Sequence, residues 1–288
     1  MWKLKNAFIP LLVGLSVSAL LYYLVRWWGF LIIFPWIGLS VTTGALLREL
    51  LVGKQRLLGR KVTLLMILPC LLLFVPIANN ENFQLEGVAL IVLVGFFSKG
   101  FIHYSVAKLF GPLIWRRGFC GHACWTAALL DWLPIKNSGK QLPEATRNLR
   151  YITFVISLLI PLFLVFILSY NPWDDYINKV EMKWMFISNG IYYMLAIPLA
   201  FYLKDKRAFC KYLCPVSIVM KPSSSVGLIK IGSNIAAKCI ECKACTKNCP
   251  MGIDVMSLML QNKAVTTTEC IMCNDCNVVC PTKKVVVV

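Results

Sequence analysis

Apolar residues in this chain come in long blocks separated by short polar or basic stretches. The blocks approach the ~20 residues that a helix needs to cross the hydrocarbon core of a bilayer. The pattern predicts six helices, near residues 7–25, 30–47, 62–79, 87–108, 151–170 and 184–203. The first two are joined by a very short turn at 26–29, so a re-entrant hairpin competes there with two full crossings. Lys3 and Lys5 ahead of an apolar run resemble a leader peptide, but the run continues through Leu20, Leu21, Tyr22, Tyr23 and Leu24 without a small-residue cleavage site, which predicts a retained first helix. Past Lys221, Pro222, Ser223, Ser224 and Ser225, a short polar break, the pattern changes. Aliphatic runs at 228–231 and 285–288 flank a polar, cysteine-rich stretch and are expected to pair as a small sheet. The expected fold is an α-helical membrane domain over 1–225, with about six spans and both termini cytoplasmic, followed by a small α+β module over 226–288.

Composition agrees: 58% of the 288 residues are hydrophobic and 15% charged, which excludes an ordinary soluble domain. The formal charge of +17 raises nucleic acid as a partner, but its distribution does not fit one. Basic residues lie between the apolar blocks, where they fix orientation. Segment 48–61 carries Arg48, Lys54, Arg56, Arg60 and Lys61, and segment 108–150 carries Lys108, Arg116, Arg117, Lys136, Lys140, Arg147 and Arg150. These loops are expected inside. The opposite loops, Asn79, Asn80, Glu81, Asn82 and the segment 171–183, are expected outside. Trp115, Trp125 and Trp132 would anchor the inner interface, and Trp173 and Trp184 the outer one.

Eight of the thirteen cysteines stand in two copies of one spacing, Cys239, Cys242, Cys245, Cys249 before Pro250 and Cys270, Cys273, Cys276, Cys280 before Pro281. C-x2-C-x2-C-x3-C-P is the bacterial ferredoxin run, whose fourth thiolate ligates the other cluster. The expected ligand sets are Cys239, Cys242, Cys245 and Cys280 for one [4Fe-4S] cluster, and Cys270, Cys273, Cys276 and Cys249 for a second. A zinc ribbon uses two C-x2-C pairs, not runs of four. Thiol-ligated clusters also call for a reducing compartment, which places this module on the cytoplasmic side.

A second pair of motifs reads R-x-F-C-x3-C, with Cys120 and Cys124 in one and Cys210 and Cys214 in the other. If each is helical, both thiols share a face, and the four together suit Zn(II), Cu(I) or an iron-sulfur cluster. A redox dithiol and plain packing are the alternatives. His122 is a candidate additional ligand, and Cys70, amid leucines, reads as packing. Lys99 and His103, four apart with Ser98 beside them, are ionisable groups inside a predicted span and form a candidate quinone site. The alternative for Lys99 is snorkelling to the interface. No Walker loop, dinucleotide fingerprint or Ser/His/Asp arrangement stands in a supporting context.

The paired C-x3-C elements followed by two ferredoxin runs resemble the multi-span membrane ferredoxins of the NapH type, with which the NosR and CcoG proteins share parts. The resemblance covers roughly 87–288. It implies an electron-transfer protein of the cytoplasmic membrane of a prokaryote, linking a membrane donor such as quinol to a redox protein partner. Two other roles stay open: metal handling or metalloenzyme maturation at the C-x3-C pair, and an anchor subunit of a larger redox complex. Three departures bear on it. Trp125 stands where the family pattern has proline, the two N-terminal spans are additional, and no flavin-attachment domain of the NosR kind is expected ahead of the first helix.

Overall fold

The structure is a computed structural model that describes residues 6–80, 82–95, 99–135, 142–171 and 180–288, without the side chains of Lys99 and Val180. Trp173, Ser98, Lys136 and Lys140 lie outside the described residues, as does the Lys99 side chain. The described residues are mostly helical, with a small sheet in the C-terminal part.

Helices α1 (Ile9–Val25) and α2 (Phe30–Leu50) form a close antiparallel pair. The approach depends on two glycines: a Cβ at Gly14 would stand 2.6 Å from the Phe34 carbonyl oxygen, and one at Gly38 2.8 Å from that of Pro10. Small residues at such contacts let backbones meet where apolar burial drives nothing. Helix α3 begins at Leu58, loosens into a π-helical stretch at Cys70–Phe74 just after Pro69, and ends at Asn79. Cys70 is fully buried there, in a core with Ile67, Leu71, Trp125 and Met185.

Among the described residues, four helices are long and apolar enough to span a bilayer: Phe30–Leu50, Gly53–Asn79, Glu144–Phe166 and Glu181–Leu203; Ile9–Val25 is shorter. The predicted fourth span, 87–108, is not one helix. Helix α4 (Leu85–Leu93) stops before a left-handed Gly95 at φ +79°, and α5 (Lys99–Tyr104) continues through a π-helical turn, Ser105–Phe110, into a last turn, Gly111–Trp115. Nine residues rise only about 14 Å, and Phe83, just before α4, lies against His103 of α5 and against Lys108, so the two pieces do not add up to one straight crossing. Such breaks are tolerated where protein covers the freed backbone. The expected outer loop is also more buried than predicted: Asn80, Asn82 and Gln84 are all covered, and Phe83 sits in the core. Lys108, expected in a cytoplasmic loop, is 1% exposed and donates to the Phe83 carbonyl at 3.1 Å.

Helices α8 (Leu149–Phe166) and α9 (Val180–Leu203) complete the membrane part and keep much of their apolar surface exposed, as lipid-facing helices must. Between α5 and α8 lie the short helices α6 (Gly118–His122) and α7 (Trp125–Leu130). After α9 come α10 (Ala208–Tyr212), α11 (Val216–Val219) and α12 (Lys221–Ser225). The polar break at 221–225 is thus itself a helical turn, with Ser224 buried.

In the C-terminal part, β1 (Ile231–Ser233) pairs antiparallel with β2 (Val285–Val287), Ile231 opposite Val287. Leu228 and Ile229, expected in that sheet, instead donate to the Leu113 and Ile114 carbonyls at 2.9 Å each and tie the module to the end of the broken span. Trp115 and Trp132 are exposed as interface anchors are, but Trp125 is 3% exposed and belongs to the core.

Candidate iron-sulfur sites and their surroundings

The two ferredoxin runs fold as copies of one another. In each, the residues flanking the second cysteine are left-handed, Glu241 and Lys243 in the first, Met272 and Asn274 in the second, with φ between 50° and 62°. Each run then starts a one-turn helix one residue before its third cysteine, α13 (Ala244–Lys247) and α15 (Asp275–Val278), with α14 (Val255–Leu260) between them. Three residues past the fourth cysteine, Gly252 and Lys283 are left-handed again. Non-glycine residues in this region each cost about 1 kcal/mol or more. Alternating right- and left-handed residues also turn successive backbone N–H groups to one side, which makes a cradle for an anion.

Two cavities result. One is walled by Cys249, Cys270, Cys273 and Cys276, the other by Cys239, Cys242, Cys245 and Cys280. The fourth cysteine of each run therefore joins the other run's first three. Four soft donors around a space lined by N–H groups fit a four-iron cluster. Among the described residues, no three His, Cys, Asp or Glu side chains close on a single metal ion. Burial pushes the Cys249, Cys270, Cys273 and Cys276 thiols up. Metal binding there requires loss of a proton.

The C-x3-C elements are also local copies. Phe119 accepts from the N–H groups of Ala123 and Cys124 at 2.9 and 3.0 Å, and Phe209 from those of Leu213 and Cys214 at 2.9 Å each. The elements are single helical turns and not continuous helices. Cys124 is already extended, at φ −70° and ψ 118°, so the second thiol lies beyond the helix end and does not share its face. Trp125 in place of proline leaves this backbone intact, and the Trp125 carbonyl accepts from Tyr193 Oη at 2.8 Å.

All four thiols lie within electrostatic reach of one another. Burial pushes Cys124 up to about 12, with Cys120 and Cys210 adding to it. Burial also raises Cys214, then its neighbours Cys210, Cys120 and Cys124. Positive groups surround the set: Arg207 donates to the Cys120 carbonyl at 3.2 Å, joining the two elements, and Lys108 lies 4.2 Å from the Tyr104 ring centre and 4.9 Å from that of Trp125. Met220 Sδ lies 3.6 Å from Cys120 Sγ.

A buried ion network fastens the ferredoxin part to the membrane part. Arg60 bridges Asp131 at 2.6 Å and Asp275 at 2.9 Å, and Arg207 holds Asp131 at 2.7 Å. Burial alone would raise Asp131, but Arg207 and then Arg60 outweigh it and hold the carboxyl at about 2. Glu269 receives Arg150 at 2.6 Å and Arg117 at 3.2 Å. Arg116 donates to the Thr266 and Thr267 carbonyls. His122, a candidate ligand by sequence, donates from Nε2 to the Met272 carbonyl at 3.0 Å, and burial, then Arg48 and Arg60, lower its pKa to about 4. Gly121 carries the closest approach, since a Cβ there would run into the Ile271 carbonyl oxygen.

The network was not legible from sequence, because its members lie 71 to 215 positions apart. Of the candidate quinone pair, the His103 ring lies against Phe83, 5.3 Å between centres. Glu86 had a signal that went unused, a lone carboxylate in an apolar run.

These features define a multi-span membrane iron-sulfur protein. Residues 231–282 match the family model of a 4Fe-4S dicluster domain, and 106–135 with 190–233 match a 4Fe-4S binding domain, whose two segments take in both C-x3-C elements. The chain is similar to NapH-like membrane ferredoxins. It is 29% identical over 191 residues to the putative electron transport protein YccM of Escherichia coli, covering 61% of this chain and 52% of that one. It is 26% identical over 188 residues to the ferredoxin-type protein NapH of Haemophilus influenzae, covering 62% of this chain and 64% of that one. An uncharacterized protein of Methanocaldococcus jannaschii is 26% identical over 174 residues, covering 57% of this chain and 61% of that one. The chain thus spans less than two thirds of the length of these relatives. No solved structure matches it.

Proposed function

We propose that this iron-sulfur electron-transfer protein works in the cytoplasmic membrane of a prokaryote, between a quinol-class donor and a redox protein partner. The membrane part is 1–225 and the cluster part, on the cytoplasmic side, is 226–288. Cys239, Cys242, Cys245 and Cys280 hold one [4Fe-4S] cluster, and Cys270, Cys273, Cys276 and Cys249 the other. Cys120, Cys124, Cys210 and Cys214 hold a further iron-sulfur site. The observation that carries the reading is that the three thiol sets form one packed series. Cys214 packs against the cluster that holds Phe209 of the membrane interior, Cys120 and Cys249 both pack against the cluster of Met251, Ile271 and Cys273, and Cys249 is one of the two cysteines that cross between the ferredoxin runs. Bound clusters supply one-electron chemistry; the chain itself spaces them, excludes water and sets Arg117 and Arg207 beside the buried thiols. The cytoplasmic side is supported by the basic loops, since Arg60, Arg116, Arg117 and Arg150 all lie against the cluster part.

Iron, acid-labile sulfide and copper per chain, measured on protein purified without oxygen, test this. About twelve irons, three clusters of four, with about four lost in Cys210→Ser, is the expected result. About eight irons with near-stoichiometric copper would favour a second reading, metal handling. The Met220 thioether beside Cys120 supports that reading, because thiolate with thioether suits Cu(I).

A further inference from the structure

A cavity of about 280 Å³ lies between α4, α8 and α9. Leu90, Ile160, Ile191 and Leu195 make its wall apolar. Its rim residues Ile156 and Ile187 are about half exposed, on the lipid-facing surface, so the mouth opens to the hydrocarbon and not to water. Its floor is Phe209, Leu213 and Pro215, the immediate neighbours of Cys210 and Cys214.

Two carboxylates enter this apolar space. Glu86 Oε1 accepts from Ser157 Oγ at 2.6 Å and from Tyr192 Oη at 2.8 Å, while its Oε2 is buried with no partner among the described residues. Glu181 is 6% exposed, and neither of its oxygens has a partner among the described residues. Leaving buried polar atoms unpaired is costly, and an apolar pocket with a few converging polar groups is the usual form of a small-ligand site. Serine and tyrosine fix Glu86 through one oxygen and leave the other for something that is not protein.

We propose that this cavity holds the ring of a quinone or hydroquinone, with Glu86 as its hydrogen-bond partner. The occupant must arrive through lipid, present a flat apolar body and carry a hydroxyl or carbonyl oxygen. Glu86 Oε2 accepts from a hydroquinone hydroxyl when ionised, and donates to a quinone carbonyl when protonated. The cavity takes a head group, and an isoprenoid tail leaves between Ile156 and Ile187 into the bilayer. This site deepens the quinol reading of the function and rests on it. It lies apart from His103, which does not line the cavity.

The test uses the full chain in lipid nanodiscs, with short-chain ubiquinone and menaquinone analogues as probes and a photoreactive azidoquinone to map the site. Iron per chain serves as the folding control. Expected are labelled peptides from α4, α8 and α9, binding weakened about tenfold or more in Glu86→Gln, and binding abolished in Leu90→Trp, which fills the cavity, each with wild-type iron. Wild-type affinity in both variants, or labels on 99–108 with binding lost in His103→Leu, would overturn the cavity while the quinol reading stands. No binding of either analogue to the wild-type chain would overturn both.

Discussion

The ferredoxin part and the membrane edge both gather cysteines, but they do so in opposite ways. The ferredoxin sets draw on 42 residues, 239 to 280, and local backbone does most of the work: repeated left-handed residues and one-turn helices wrap each run. At the membrane edge, Cys120 and Cys210 are ninety positions apart, and each single-turn element can place only its own pair. What brings the two elements together is the fold, through Arg207 on the Cys120 carbonyl and Arg207 on Asp131. A site written in spacing survives reading from sequence. A site written in tertiary contacts needs its surroundings.

Substituting one thiol in each region gives the largest expected contrast. Cys276 lies in the module's core with Ile231, Val255 and Met259, and cysteine ligation more than burial holds so small a part together. Cys276→Ser should therefore lose at least one cluster, about four irons, and expose 231–288 to protease. Cys210→Ser should keep the module's iron and its reduction by dithionite, yet lose reduction by a quinol analogue. Equal loss of all iron in both variants would mean that the two regions are not separable.

The same contrast explains what could be read in advance. Hydrophobic blocks located α1, α2, α3, α8 and α9 to within a few residues, because lipid demands long apolar helices irrespective of neighbours. The block at 87–108 misled, since apolar composition does not record that Gly95 turns left-handed or that Lys108 is enclosed by Tyr104, Phe119 and Trp125. The crossed ferredoxin sets could be proposed from sequence because the motif itself implies the crossing. Basic residues pointed to a side of the membrane without revealing their employment. Arg60, Arg116, Arg117 and Arg150 are consumed in docking the cluster part, which only three-dimensional contacts disclose.

Docking offers the next break. Arg60 is 3% exposed between Asp131 and Asp275, and removing one partner of a buried ion pair costs about 3–5 kcal/mol because the other charge is left uncompensated. Arg60→Leu should free the ferredoxin part from the membrane part, read as faster hydrogen exchange over 266–275, and keep the module's own iron. Protection unchanged over that stretch would show that Glu269 and the backbone bonds of Leu228 and Ile229 suffice. A smaller effect is expected from Gly121→Ala. Its Cβ would collide with the Ile271 carbonyl oxygen and stand 3.2 Å from Cys273 Cα, so the module must shift outward. Overpacking of this kind costs about 1–3 kcal/mol. Slower reduction of the ferredoxin clusters by quinol, with iron unchanged, is the signature to look for; a wild-type rate would mean that this contact does not set the electron path.

The smallest effect should come from acid. Asp131 is held at about 2 by Arg207 and Arg60 against the upward push of burial, below the ordinary carboxylate value of about 3.9. A group whose pKa is depressed in the folded state adds stability above its unfolded pKa and loses it as pH falls through the folded one. Docking should therefore stay level from about pH 8 to about pH 5 and weaken only as pH drops from about 4 toward 2. In Asp131→Asn that acid step should diminish while docking is already weaker at neutral pH, because Arg60 and Arg207 then share no anion at this position. Hydrogen-exchange protection over 266–275, corrected for intrinsic rates and followed across a pH series, reads this directly. A midpoint near pH 6 that persists in Asp131→Asn would assign the acid sensitivity to another group and remove Asp131 from control of the joint.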